Sequence, residues 1–251
     1  MKQTLQILTR GLLGIGTFLL FIHCTAQTTV ILDKNGSGTA SLRIDLHPIL
    51  MRYYSDLAAG FIPTFDPKNP KVFDLESLYQ RLAKEPNLTL QRARNPVPER
   101  LEAEFSFQDI RTLLSSQGHE IENAITLEQT GQQETVRIRI NQDTIDALLS
   151  LTPESQSALY RMLLPSPGKR LTEAEYKKQL AWALEEYAGD DNLPRVLEDA
   201  SIHLVLKTPG PILHIAGGTQ AGLREARFTI PLLRIFTTPL EYAVTYQRES
   251  L

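Results

Sequence analysis

A single cysteine, Cys24, serves the whole chain. No disulfide can form within it, and no cysteine-based metal centre. Charge of one sign is also scarce. Lysine and arginine number 26 against 29 acids, for a net charge of −3. No run of like charges forms a polybasic patch. The first 23 residues hold Lys2 and Arg10 and no acid, so the remainder is two charges more negative than the whole. A mildly acidic surface does not neutralise phosphates, which argues against nucleic acid as a partner. Beyond residue 22 no apolar run is long enough to span a membrane.

Catalytic signatures are lacking too. There is no G-x-S-x-G elbow, no phosphate-binding Gly-Lys-Ser/Thr loop and no H-E-x-x-H helix. The histidines His23, His47, His119, His203 and His214 show no metal-ligand spacing. His203 and His214 fall on expected neighbouring strands and could meet. The stretch from Asp33 to Gly38 opens like a calcium loop, but position twelve is Ile44 where a bidentate Glu belongs. No metal and no cofactor is expected.

What is present begins with the first residues. Met1 to Arg10 is short and basic, and Leu12 to Ile22 is apolar and uncharged. The run is shorter than the roughly 20 residues a permanent span needs, so residues 1–23 read as a secretory signal. Cys24 follows at once, where bacterial lipoprotein signals place the thiol that receives diacylglycerol. Phe21-Ile22-His23-Cys24 resembles a relaxed lipobox of the spirochaete kind, with Phe21 for the usual Leu and His23 for the usual small residue. The rival is plain cleavage after Ala26, with Cys24 and Ala26 as the small residues. The anchored reading makes 24–29 a short lipid tether of at most about 17 Å, and 30–251 a single domain.

With 42% hydrophobic and 22% charged residues the mature chain is globular. Thr29 to Asp33 and Thr39 to Leu46 flank Asn35-Gly36, a hairpin signature. His47 to Ala59 reads as a helix with Pro48 in its first turn, and Asp74 caps another running to Lys84. Strands follow at Leu88–Arg94 and Arg100–Phe107, then a hairpin of Ile121–Gln129 and Glu134–Ile140. From 141 to 192 the pattern is helical, with Thr172 and Glu175 forming a capping box. Strands return at Ser201–Lys207, Gly222–Ile230 and Tyr242–Gln247. A strand runs into an apolar helical turn four times, near residues 42–53, 105–114, 136–149 and 228–236, which raises an internal duplication as a possibility beside mere commonness of that unit. The expected class is α+β: a mostly antiparallel sheet built from hairpins, helices on one face, and a helical insertion at about 141–192.

Period-two spacing puts Glu102 with Glu104, Arg92 with Arg94, and Arg137 with Arg139 each on one strand face. A solvated sheet face accounts for all three pairs, and acid–base chemistry by Glu102 and Glu104 is the sharper alternative. Gly217-Gly218 reads as a turn supplying positive φ. Phe61, Ile62 and Phe65 lie in a proline-rich loop and could meet membrane or a partner, or fold back on the core.

The early hairpin with Gly36 and Gly38 and the closing segment carry a resemblance. Ile202–Leu206 leads into Pro209-Gly210, then Phe228-Thr229-Ile230, Leu232-Leu233 and Tyr242–Tyr246. These ends resemble the LppM-like bacterial lipoproteins, while the helical middle departs from them. The resemblance implies an anchored envelope protein with a mixed or β-rich domain and no established catalytic residues.

Three functions compete. One is a non-enzymatic envelope lipoprotein, lipid-anchored through Cys24, that binds a protein partner or supports an assembly. The absence of Asp after Cys24 leans it towards the outer membrane. A second is a carrier or sensor of an apolar ligand, with a cavity lined by Phe105, Phe107, Ile138 and Trp182. A third is an envelope hydrolase, which requires clustered acids or a Ser–His pair in a cleft.

Overall fold

The structure is a computed structural model that describes residues 24–61, 65–67, 70, 72–116, 119–145, 163–165 and 171–248. Residues 1–23, expected as a secretory signal, and Ile62 lie outside them. So do residues 146–162 and 166–170, which hold much of the expected helical insertion.

β1 (Cys24–Leu32) and β2 (Gly38–Leu46) form the first hairpin, in register from Cys24 opposite Leu46 to Leu32 opposite Gly38. Gly36 takes φ 86° in the turn, a left-handed conformation that costs glycine little. The expected tether at 24–29 is therefore strand. Only Ala26 is apolar before Val30, so the alternation is faint. Yet Ala26 is fully buried, and β1 is paired on both sides along that stretch.

α1 (Pro48–Phe61) follows β2, and α2 (Leu75–Leu82) is capped by the Asp74 carboxylate, which accepts from Ser77 N at 3.1 Å. β3 (Leu88–Arg94) and β4 (Arg100–Phe107) make the second hairpin, and α3 (Ile110–Ser115) follows. α4 (His119–Ala124) occupies residues expected as strand, and β5 (Ile125–Thr130) starts only after it. Apolar Ile121, Ala124 and Ile125 suit a three-to-four spacing as well as alternation. β6 (Gln133–Ile140) leads into helical residues 142–145. α5 (Glu173–Ala188) opens on the Thr172–Glu175 capping box, and α6 (Leu193–Asp199) follows. The chain ends with β7 (Ser201–Lys207), β8 (Ile212–Ala216), β9 (Thr219–Gly222), β10 (Glu225–Pro231), α7 (Leu232–Ile235) and β11 (Leu240–Gln247).

The α+β class holds, but with two sheets where one was expected. One has the order β3-β4-β2-β1-β7-β10-β9, and the other β5-β6-β11-β8. β1 is the central strand of the larger sheet, and its pairing with β7 is parallel. The chain passes between sheets at Gly217-Gly218. Gly217 has φ 74°, but Gly218 serves another need: a Cβ there would lie 2.6 Å from the Arg227 carbonyl oxygen. All four strand-to-helix passages foreseen from the pattern occur, after β2, β4, β6 and β10.

One apolar cluster unites both sheets and the helices. Tyr176, Leu180 and Leu184 of α5 are wholly buried, four residues apart on one helical face. Tyr176 meets Phe236 edge-on at 5.5 Å and donates its hydroxyl to the Leu163 carbonyl. The part of the expected insertion that the structure describes thus belongs to the core. Among the described residues no helix is long and apolar enough to cross a membrane.

α1 begins with a pH-sensitive contact. The Nδ1 of His47 accepts from the Ile49 N–H at 3.3 Å, which requires an unprotonated nitrogen. Burial depresses the His47 pKa; Asp191 opposes the shift and Arg52 adds to it. A depressed histidine pKa stabilises the fold fully above the unfolded value of about 6.5, and that stability is lost as pH falls below it. Urea midpoints should therefore drop between pH 7.5 and 5. His47→Asn, which keeps a capping acceptor, should lessen that drop.

Candidate functional site

The helices pack against one face of the seven-stranded sheet, and its other face is open. Strand parity dictates the division. In β2, Leu42 and Ile44 point to the core, while Thr39, Ser41, Arg43 and Asp45 point outward. In β4, Leu101, Ala103, Phe105 and Phe107 are core, and Arg100, Glu102, Glu104 and Ser106 are not.

Register then aligns the outward residues in rows across the sheet. One row runs Arg94, Glu102, Arg43, Gln27, His203, Thr229. The next runs Arg92, Glu104, Ser41, Thr29, Val205, Arg227. The shared faces expected for Arg92 with Arg94 and Glu102 with Glu104 are present. The ladder between β3 and β4 shifts between Leu90 and Arg92, which brings the two arginines opposite the two glutamates. Arg94 donates to Glu102 at 2.6 Å. Asp45 accepts from Arg43 at 2.6 Å and also pairs with Arg100. Burial favours the protonated Asp45, but the two guanidinium groups outweigh it and hold the carboxyl below its ordinary range. A shallow cleft of about 200 Å³ lies over this region, lined by Gln27, Thr29, Arg43, Arg92, Glu102 and Glu104 among others. Alternating signs across the rows make the face strongly polar with no single charge.

A second cleft, of about 210 Å³, opens between the β1–β2 turn, α3 and the smaller sheet. At its base Glu134 accepts a hydrogen bond from the Tyr246 hydroxyl at 2.6 Å and pairs with Arg111. Arg111 also donates to the Leu127 carbonyl at 2.9 Å. Burial, then the Glu134 carboxylate, raise the Tyr246 pKa and keep the phenol protonated. The sequence carries a signal for this group in strand phase, not in a motif. Glu134 is in phase with Val136, Ile138 and Ile140, so it sits on the apolar side of its strand. Tyr246 lies opposite it in register.

Ser201 Oγ lies 3.2 Å from His203 Nε2, the kind of pair a hydrolase would need. The other ring nitrogen, Nδ1, faces the Thr229 hydroxyl at 3.3 Å, where the serine–histidine mechanism places a carboxylate. His214 is on β8 of the smaller sheet, so the two histidines stand on different sheets. Among the described residues no group of three or more His, Cys, Asp or Glu side chains could hold a metal ion.

The residues expected around an apolar chamber scatter. Phe105 and Phe107 are packed in the core, Ile138 is half-buried in the other sheet, and Trp182 is 74% exposed on α5. Phe61 is 69% exposed at the end of α1, and Phe65 meets the Tyr54 ring edge-on at 5.8 Å. α1 starts beside the Cys24 end of the sheet and runs 14 residues from it, about 20 Å. Phe61 thus stands about a helix length from Cys24, and its exposure leaves it open to membrane or a partner.

Arg137 pairs with Glu241 and lies 4.0 Å from Glu128, and Arg139 also approaches Glu241 at 4.0 Å. These charges reinforce the outer side of the smaller sheet. No family model, curated protein or solved structure matches this chain.

Proposed function

We propose that this chain is a non-enzymatic envelope lipoprotein, exported by its first 23 residues and held at a membrane by diacylglycerol on Cys24. The observation that carries the reading is the placement of the only thiol. It follows a basic start and an apolar run, and it stands at the head of a strand. A thiol is what thioether formation needs, and the chain holds no other. The likeness of the end segments to LppM-like lipoproteins points the same way.

The open sheet face supports the binding side of the reading. Rows of arginine, glutamate, serine and threonine suit a polar partner in the envelope rather than a lipid or a buried apolar ligand. Thr25 after the cysteine, where inner-membrane retention would favour Asp, favours the outer membrane.

Mass spectrometry of the N-terminal peptide from the membrane fraction tests the anchor. The expected result is a mature chain starting at Cys24 with a diacylglycerol adduct, lost in Cys24→Ser. A mature chain starting at unmodified Gln27 would overturn the reading.

A further inference from the structure

The anchor reading has a geometric consequence because no tether separates Cys24 from the fold. Cys24 is already paired, opposite Leu46, in the central strand of the larger sheet. A lipid on it would draw that end of the sheet, not a distant stalk, against the bilayer. The loops at this end must then meet the headgroups.

One of these loops is apolar at its tip. The β3–β4 connection reads Asn95-Pro96-Val97-Pro98-Glu99, and Pro96, Val97 and Pro98 are all exposed. It belongs to the same end of the sheet as Cys24. The Leu46 N–H, next to Cys24 in register, donates to the Glu99 carbonyl at 2.9 Å. The tip is therefore about two strand spacings from Cys24, about 10 Å. It projects past that level as a turn closed by the Arg100 N–H on the Val97 carbonyl at 3.0 Å.

The turn is also held stiffly. Two prolines restrict its backbone, and the Asn95 side-chain amide donates to the Phe73 carbonyl at 3.0 Å. Asp45 and Glu102 engage the flanking Arg100 and Arg94. Arg94 and Arg100 beside the tip are thus paired within the protein, and half-buried Glu99 closes the turn.

Resting on the anchor reading, we propose that Pro96-Val97-Pro98 is a membrane-contact tip that dips into the lipid interface beside the acylated Cys24 and orients the sheet on the bilayer. The occupant is lipid, because the chain's own attachment point lies beside it. The contact is small, so it orients a protein already anchored rather than recruiting one from solution.

The chain's single tryptophan, Trp182, makes the test direct. A Trp182→Phe background with Val97→Trp, and separately Pro98→Trp, leaves one indole at the tip. The lipidated full chain is purified from membranes and reconstituted into phosphatidylcholine vesicles with or without brominated acyl chains. Equal urea midpoints for variants and background establish that the fold is kept. Tip fluorescence should fall at least twofold in brominated vesicles, while native Trp182 changes little. Tip indoles quenched no more than Trp182, in protein whose Cys24 lipid is verified by mass, would overturn the tip and leave the anchor standing. Stronger quenching of Trp182 would also overturn it, by turning α5 to the bilayer. Protein with unmodified Cys24 should show no tip quenching; quenching there would show a tip that binds lipid without the anchor and would overturn the proposal.

Discussion

Gly38→Ala should destabilise the fold by about 3 kcal/mol or more, at the upper end of overpacking costs. A Cβ at this position would fall on the Ile31 carbonyl oxygen, across the first hairpin, and 2.5 Å from the Phe107 ring. Neither neighbour can yield cheaply. Ile31 belongs to the central strand, and Phe107 is a core residue of β4. Relief would require β1 and β2 to part beside their shared turn. Gly60→Ala supplies the contrast. That glycine lies in α1 with nothing within 4 Å of the added methyl, so the change should stabilise the helix by about 0.5 kcal/mol. Urea unfolding of both variants reads the difference. Equal midpoints would show that the close approach at Gly38 is absent.

Glu134→Ala should cost about 2–3 kcal/mol, because it strips the acceptor from a buried phenol and an anion from a guanidinium. The Tyr246 residue is 1% exposed, so its hydroxyl relies on Glu134 as acceptor. Arg111 differs, since 46% of its side chain is accessible and it can turn to solvent. The loss therefore falls mainly on the tyrosine hydrogen bond, and the value stays below that of a fully buried broken ion pair. Tyr246→Phe alone should cost about 1 kcal/mol. The double variant should cost less than the sum of the single changes, by about 1 kcal/mol. Additive costs in that cycle would show that Glu134 and Tyr246 do not interact. The cluster matters beyond stability because it ties α3, which follows the larger sheet, to both inner strands of the smaller one.

The two clefts separate what this protein displays from what holds it together. Over the open sheet the charges are accessible and balanced, so they present a surface. At the base of the inter-sheet cleft a carboxylate is saturated by Arg111 and Tyr246, so it fastens elements. The Ser201–His203 pair lies on the open sheet with a threonine where an acid would orient the ring.

The first hairpin, the helix caps and the two faces of β2, β3, β4 and β6 could be read from local order. Asn35-Gly36, Asp74 and the Thr172–Glu175 box act within a few residues of themselves, so their chemistry needs no distant partner. Alternation likewise placed Arg92, Arg94, Glu102 and Glu104 on exposed faces. Pairing between strands remote in sequence was decided by packing alone. Nothing near β1 announces β7 as its parallel neighbour, and the faint alternation of Thr25 to Thr28 hid a strand that is stabilised from both sides. The same holds for the second sheet, for the nearness of the Pro96–Pro98 tip to Cys24, and for the helix length between Phe61 and it. A local pattern records which side of an element avoids water. Which other element covers that side depends on how one shared core is filled.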